Sequence, residues 1–222
     1  MKPIVFVYKS FRKLFRFIRF MWDKIITWFV LYGNEVECNS FSTNGIPIIN
    51  VGRKGNNHIY IGHNFRMNNR LVANQIGYDS PCILVAMDNA TITIGEEVGM
   101  SQTTIIAMGA DIYIGSNTLF GGGVKIYSSD FHSLDYKHRR DYSINGLDHQ
   151  NRKSAPVTIG HDCFIGAGSI ILKGIIIGDL SIVGAGSVVT KSIPSGEIWA
   201  GNPARFVKKI TISKDNLNIN SI

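Results

Sequence analysis

Residues 159–194 read IGHDCF IGAGSI ILKGII IGDLSI VGAGSV VTKSIP: six consecutive blocks of six, each opening on an aliphatic residue, with glycine second in four of them. An α-helix cannot use this pattern, because six residues rotate a helical side chain by about 240° and scatter the openers over three faces. In extended chain, residues two, four or six apart share a side, so Ile159, Ile165, Ile171, Ile177, Val183 and Val189 point one way. The residues two places earlier, Val157, Cys163, Ser169, Ile175, Ser181 and Ser187, share that face and are mostly small. Gly160, Gly166, Gly178 and Gly184 follow their openers, where they are expected to relieve strain as the chain turns a corner. The segment is predicted to be short straight sides joined by bends.

Such sides bury nothing alone and must stack on copies of themselves. Three sides make one coil, which puts Ile177 on Ile159, Val183 on Ile165 and Val189 on Ile171, about 4.8 Å apart. The same phrase occurs earlier as HIYIGHN (58–64), TITIGEE (91–97), DIYIGSN (111–117) and VTIGHD (157–162). Their openers, Ile61, Ile94, Ile114 and Ile159, are 33, 20 and 45 residues apart. The two long gaps imply excursions around 74–88 and 128–156, and the chain holds about five coils, with 33–58 read as a partial one.

PVTIGHDCFIGAGS, IVGAGSVVTK and the closing AGNPAR, within a similarity spanning roughly 59–209, resemble the hexapeptide-repeat acyltransferases. The branch they look most like is that of sugar and polysaccharide O-acetyltransferases related to the maltose, galactoside and nodulation-factor enzymes. The resemblance implies an all-β solenoid, a left-handed parallel β-helix. The hand comes from the resemblance alone, since parallel crossovers are otherwise right-handed in about 98% of cases. The chain then divides into a basic amphipathic helix (1–33), a β-helix domain (34–205) with a protruding loop at 128–156, and a C-terminal tail (206–222) in which VKKITI adds a strand.

The resemblance also implies an activity: transfer of an acetyl group from acetyl-CoA to a hydroxyl of a sugar or surface polysaccharide precursor, with no metal. In the resembled family a histidine just after the coil preceding such a loop takes the hydroxyl proton, and His132 in SSDFHS matches that place. An imidazole of ordinary pKa, about 6.5, can do this near neutrality. Asp130, Asp135 or a backbone carbonyl is expected to orient it. IGAGS (165–169) and VGAGS (183–187) set Ala167 and Ala185 one coil apart, leaving a shallow groove along an edge. The family carries over a thioester-binding N–H to Ala167, a place beside the pantetheine arm to Ala185, and phosphate contacts to Thr190, Lys191, Arg205 and Lys208. Tyr127, Phe131, Tyr136 and Tyr142 are candidates to stack on sugar rings. The family usually forms homotrimers, in which His132 of one subunit would face the alanine groove of the next. A small soluble or xenobiotic alcohol or amine is an alternative acceptor, and a non-catalytic trimeric membrane-associated scaffold is the alternative from another class. A zinc enzyme resembling the γ-class carbonic anhydrases would need a third histidine beside His58 and His63, and the neighbouring coils offer none.

The net charge of +7 is local. Residues 1–32 carry Lys2, Lys9, Arg12, Lys13, Arg16, Arg19 and Lys24 against Asp23 alone, leaving 16 basic and 15 acidic residues elsewhere. No nucleic-acid-binding module is recognisable, so a nucleic-acid partner is not expected. Over 8–32, Phe11, Leu14, Phe15, Ile18, Met21, Trp22, Ile25, Trp28, Phe29 and Tyr32 recur at helical spacing, with the charges on the other side. Such a helix suits either an anionic membrane surface or packing of its stripe on the β-helix or a neighbouring subunit. Cys38, Cys82 and Cys163 have no metal-like or disulfide-like spacing, which favours a reducing, cytoplasmic setting, at the inner face of the membrane if the helix binds lipid.

Overall fold

The computed structural model describes residues 3–144 and 146–211. Its strands fall into three sheets that the chain visits in rotation. The first sheet runs Glu37–Cys38, His58–Ile61, Thr91–Ile94, Ile112–Ile114, Val157–Ile159 and Ile176–Ile177. The second runs Phe41–Asn44, Phe65–Asn68, Gly99–Ser101, Leu119–Phe120, Phe164–Ile165, Ile182–Val183 and Glu197–Ala200. The third runs Ile48–Val51, Ile83–Met87, Thr104–Met108, Lys125–Tyr127, Ile170–Ile171 and Val188–Val189. Every neighbour in this stack is parallel, and Arg205–Lys209 closes the second sheet antiparallel to Glu197–Ala200. The last strand therefore begins one residue before the boundary expected of the tail, and residues 212–222 lie outside the described residues.

Strand pairing follows the eighteen-residue step: Ile159 on Ile177, Ile165 on Val183, Ile171 on Val189. These six side chains are fully buried, as are Val157, Ser169, Ser181 and Ser187 two places before openers. Each buried aliphatic contributes about 1.5–3 kcal/mol of apolar burial. Three strands in each of the six tiers make one coil more than the repeat count suggests, because 37–51 forms a complete turn rather than a partial one. The first excursion lies at 69–82, since Ile83–Met87 already belongs to the third sheet. The second occupies 128–156, between Tyr127 and Val157.

The corner glycines act differently from the expectation. Gly166 is not left-handed; a Cβ on it would sit 2.5 Å from the backbone nitrogen of Ala185, so its bareness lets the next coil approach. The left-handed residue comes two places later, at Gly168 with φ +71°.

Helix α1 (Pro3–Gly33) lies against the first coil through Asp23, Thr27 and Leu31, all buried. The Asp23 carboxylate accepts from the Gly45 N–H at 2.8 Å and from the Arg70 guanidinium at 2.6 Å, which pins the helix. Most of the aromatic stripe stands clear of the β-helix: Trp22, Ile25, Trp28 and Phe29 are exposed, and only the edge carrying Ile25 and Trp28 borders Phe41 of the first coil. The face that docks is the polar one, where Asp23 meets its partners and where Thr27 and Leu31 follow at four-residue steps.

Candidate active site

The loop 128–156 leaves the corner between the third and first sheets and contains two short helices, α2 (Tyr136–Arg139) and α3 (Leu147–Asn151). His132 precedes α2, with its side chain 66% exposed, and its Nδ1 lies 2.6 Å from the Asp148 carboxylate. Asp148 sits in the first turn of α3 and is buried. Its other oxygen accepts the Ser133 N–H at 2.7 Å. One carboxylate therefore grips both the imidazole and the backbone next to it, and these two hydrogen bonds, the one from His132 foremost, hold its carboxyl below the usual range. An ionised Asp148 requires a proton on Nδ1, which leaves Nε2 as the basic nitrogen facing outward.

Asp148 replaces the orienting groups expected from sequence. Asp130 pairs instead with the Lys173 ammonium at 3.0 Å, one coil up. Asp135 caps α2, accepting the Lys137 N–H at 2.8 Å. Both are closer to His132 in sequence than Asp148 is, but both are committed elsewhere. Asp141 supports α3 from below: its carboxylate accepts the Leu147 N–H at 3.0 Å and the Ser143 hydroxyl at 2.8 Å, which lower its pKa. Arg139 donates to the carbonyls of Ser133 and Leu134, at 2.7 and 2.8 Å, tying α2 to the segment that follows His132. At the far end of the loop, Arg152 pairs with Asp88 of a lower coil, and His149 lies 3.8 Å from the same carboxylate. His138 touches the Ser133 hydroxyl at 3.3 Å and points to support of the loop.

Phe131 takes a left-handed φ of +64°, and its ring meets the Tyr127 ring edge-on at 5.2 Å, directly before His132. Burial raises the Tyr127 pKa, so its hydroxyl stays protonated. Tyr136 and Tyr142 lie further along the loop, both exposed, and the Arg140 guanidinium covers the Tyr136 ring at 5.3 Å. The four aromatic candidates thus split into a pair beside the imidazole and a pair on the outer loop.

The donor candidates also split. Ala167 and Ala185 occupy stacked turns at the corner between the second and third sheets, and the Gly186 N–H donates to the Ala167 carbonyl at 2.8 Å. The Ala167 N–H has no acceptor among the described residues. Arg205 opens the strand that pairs with Ala200 and so joins this edge, with Lys208 three residues on beside Ile198. Thr190 and Lys191 follow the third-sheet strand Val188–Val189 and lie at the other edge, where Lys173 and the His132 loop also emerge. Within one chain, His132 and the alanine turns are thus at two different corners of the third sheet.

The cysteines stay outside this chemistry. Burial pushes the thiols of Cys38 and Cys82 up to about 11 and raises that of Cys163, so none offers a thiolate near neutrality. His58 is held by the Asn56 side chain at 2.8 Å, and no group of three metal-binding side chains occurs among the described residues.

A profile described as the hexapeptide repeat of succinyl-transferase matches residues 156–191. Nodulation protein L of Rhizobium leguminosarum bv. viciae is 43% identical over 114 residues, 51% of this chain and 55% of that protein. A Saccharomyces cerevisiae protein with a provisional acetyltransferase name is 36% identical over 131 residues, 59% of this chain and 62% of that one. The chain spans less than two thirds of the length of these curated relatives. Among solved structures, AntD, an N-acyltransferase from Bacillus cereus in complex with dTDP-4-amino-4,6-dideoxyglucose and coenzyme A, superposes with a TM-score of 0.60 at 22% identity. The match covers 82% of this chain and 87% of that one and is a likeness of fold.

Proposed function

We propose that the chain is a hexapeptide-repeat acyltransferase, a reading supported by the profile match over 156–191 and by the relatives that share about half of its length, and that it moves an acetyl group from acetyl-CoA to a hydroxyl of a sugar or surface polysaccharide precursor. The observation that carries the proposal is the His132–Asp148–Ser133 clamp, 2.6 and 2.7 Å, which fixes an exposed imidazole with its Nε2 outward. In this reading Nε2 of His132 takes the hydroxyl proton as the oxygen attacks the thioester carbonyl. The C–S bond then breaks and the proton passes from the imidazolium to the departing thiolate. A positioned base of this kind is worth about 10²- to 10⁴-fold.

The stacked alanine turns suit the donor, because small side chains leave a groove and Ala167 has an N–H without an acceptor, available to a developing oxyanion. Arg205 and Lys208 supply charge for phosphates on that edge. Thr190 and Lys191 stand on the His132 edge, so a homotrimer would bring both sets to one cleft: His132, Thr190 and Lys191 from one subunit, Ala167, Ala185 and Arg205 from the next. A left-handed winding is part of this reading. Tyr127 and Phe131, beside the imidazole, are the pair best placed to hold an acceptor ring.

The test is thiol release from acetyl-CoA in the presence of a panel of polysaccharides, simple sugars and amino sugars, with wild type and His132→Ala. Acceptor-dependent release by the wild type alone supports the assignment. Equal rates would remove His132 as the base, and no release with any acceptor would favour a scaffold without catalysis.

A further inference from the structure

Helix α1 presents two unlike long faces. At about 100° per residue, Lys9, Arg16, Asp23 and Thr27 fall on one side, and Phe11, Ile18, Trp22, Ile25 and Phe29 on the opposite side. Asp23, Thr27 and Leu31 of the first face seat on the β-helix. The second face is thereby turned away from the body, with Trp22 59% and Trp28 51% exposed. Among the described residues no element covers it, and packing against the solenoid is already assigned to the other side.

Charge selects the occupant. Lys9, Arg12, Lys13, Arg16, Arg19 and Lys24 make no ion pair among the described residues. The single acid of the helix, Asp23, is buried and already taken by Arg70. Arg12 and Arg19 flank the stripe on one side, Lys13 and Lys24 on the other, where long stems can lie along apolar surface and carry their charges outward. A second copy of this helix would bring only more cations to the same seam. No described helix is long and apolar enough to cross a membrane. An aromatic stripe bordered by unpaired cations fits a surface that is apolar below and anionic at its rim.

We propose that the aromatic face of α1 seats in the plane of an anionic lipid bilayer, holding the β-helix against the membrane through the Asp23-anchored half of the helix. This docking does not depend on the acetyl-transfer reading. If both hold, the acceptors met by the His132 loop are those displayed near a lipid surface.

The test uses the full chain carrying Trp199→Phe, so that Trp22 and Trp28 are the remaining tryptophans. It is mixed with phosphatidylcholine vesicles, with or without about 30% phosphatidylglycerol, and with lipids brominated on their acyl chains. The expected result is co-sedimentation with the anionic vesicles only, with tryptophan fluorescence quenched by the brominated chains. Binding should fall about fivefold for each of Arg12, Lys13, Arg19 and Lys24 changed to Gln. It should also weaken as salt rises from 0.1 to 1 M and the screening length shrinks from about 10 to about 3 Å. Absence of binding to anionic vesicles, or binding without quenching, overturns the proposal. So does a Trp28→Ser, Phe29→Ser pair that lowers the oligomeric state of the chain while leaving vesicle binding unchanged, which would give the face to a second copy.

Discussion

Replacing Asp148 by Asn exchanges one carboxylate oxygen for an NH₂ group and sets two hydrogen bonds against each other. In the native loop one carboxylate oxygen accepts from His132 Nδ1 at 2.6 Å and the other from the Ser133 N–H at 2.7 Å. An asparagine that keeps its carbonyl on Ser133 must turn its NH₂ toward Nδ1, which then has to be the acceptor, so the proton moves to Nε2. That tautomer cannot take a proton from a hydroxyl. The opposite orientation restores Nδ1 but drives the NH₂ against the Ser133 N–H, donor against donor, and Asp148 is buried, so water cannot settle the conflict. The first outcome removes the outward base and the second loosens the loop that positions it, and the expected loss is about 10²- to 10⁴-fold in kcat. Asp148 is buried behind the imidazole and has no assigned contact with the donor, so KM for acetyl-CoA should stay within about twofold of wild type, as expected when transition-state contacts alone are lost. The assay is steady-state thiol release with the acceptor found in the panel, together with chemical-shift mapping of the imidazole nitrogens to report the tautomer. Asp130→Asn serves as the comparison, because its partner is Lys173. An Asp148→Asn variant with unchanged kcat, or an Asp130→Asn variant that loses more, would refute the reasoning.

Gly166→Ala should lower stability, since the new Cβ would meet the Ala185 nitrogen at 2.5 Å; overpacking of this kind costs about 1–3 kcal/mol, read by calorimetry as a drop in Tm of about 2–4 °C per kcal/mol. Ala185→Trp, at an exposed turn, should raise KM for acetyl-CoA without altering Tm, and an unchanged KM would move the donor elsewhere. Acid should loosen the loop before the solenoid: hydrogen bonds from His132 and from the Leu147 N–H depress the pKa values of Asp148 and Asp141 respectively. Carboxyls depressed in the fold contribute stability that is complete above about pH 3.9 and lost as pH falls through their folded values. Amide exchange at Ser133 and Leu147 should therefore be protected at pH 5 and lose protection only below about pH 3.9. Loss between pH 5 and 7 would contradict that assignment.

The interior was legible because its period is even. Alternation on a strand is decided residue by residue, so Ile159, Ile165 and Ile171 could be placed inward without knowing anything beyond the next coil. The first coil was hard to read because Glu37–Cys38 is two residues long and the turn after it lacks the aliphatic-glycine pair. Asp148 was invisible for a different reason. It reaches His132 across sixteen residues only because α2 and α3 fold the loop back on itself, and no spacing rule describes two short helices. An acid in the first turn of a helix inside the excursion was the available hint. The stripe of α1 was found correctly by its period, but periodicity cannot say which side meets the protein. Asp23 looked like one more solvated charge, yet it is the buried anchor, since Gly45 and Arg70 lie far from it in sequence.

The central claim is that one subunit supplies the base and its neighbour the donor groove, and mixed oligomers test it most directly. Co-expressing His132→Ala chains with Ala185→Trp chains, assayed at acetyl-CoA far below the raised KM so that neither turns over alone, should restore about one quarter of wild-type acetyl transfer if assembly is random and the two chains are equal in amount, because one junction in four then pairs an intact imidazole with an intact groove. Mixed oligomers with no activity would place both halves of the site within a single chain and contradict the account.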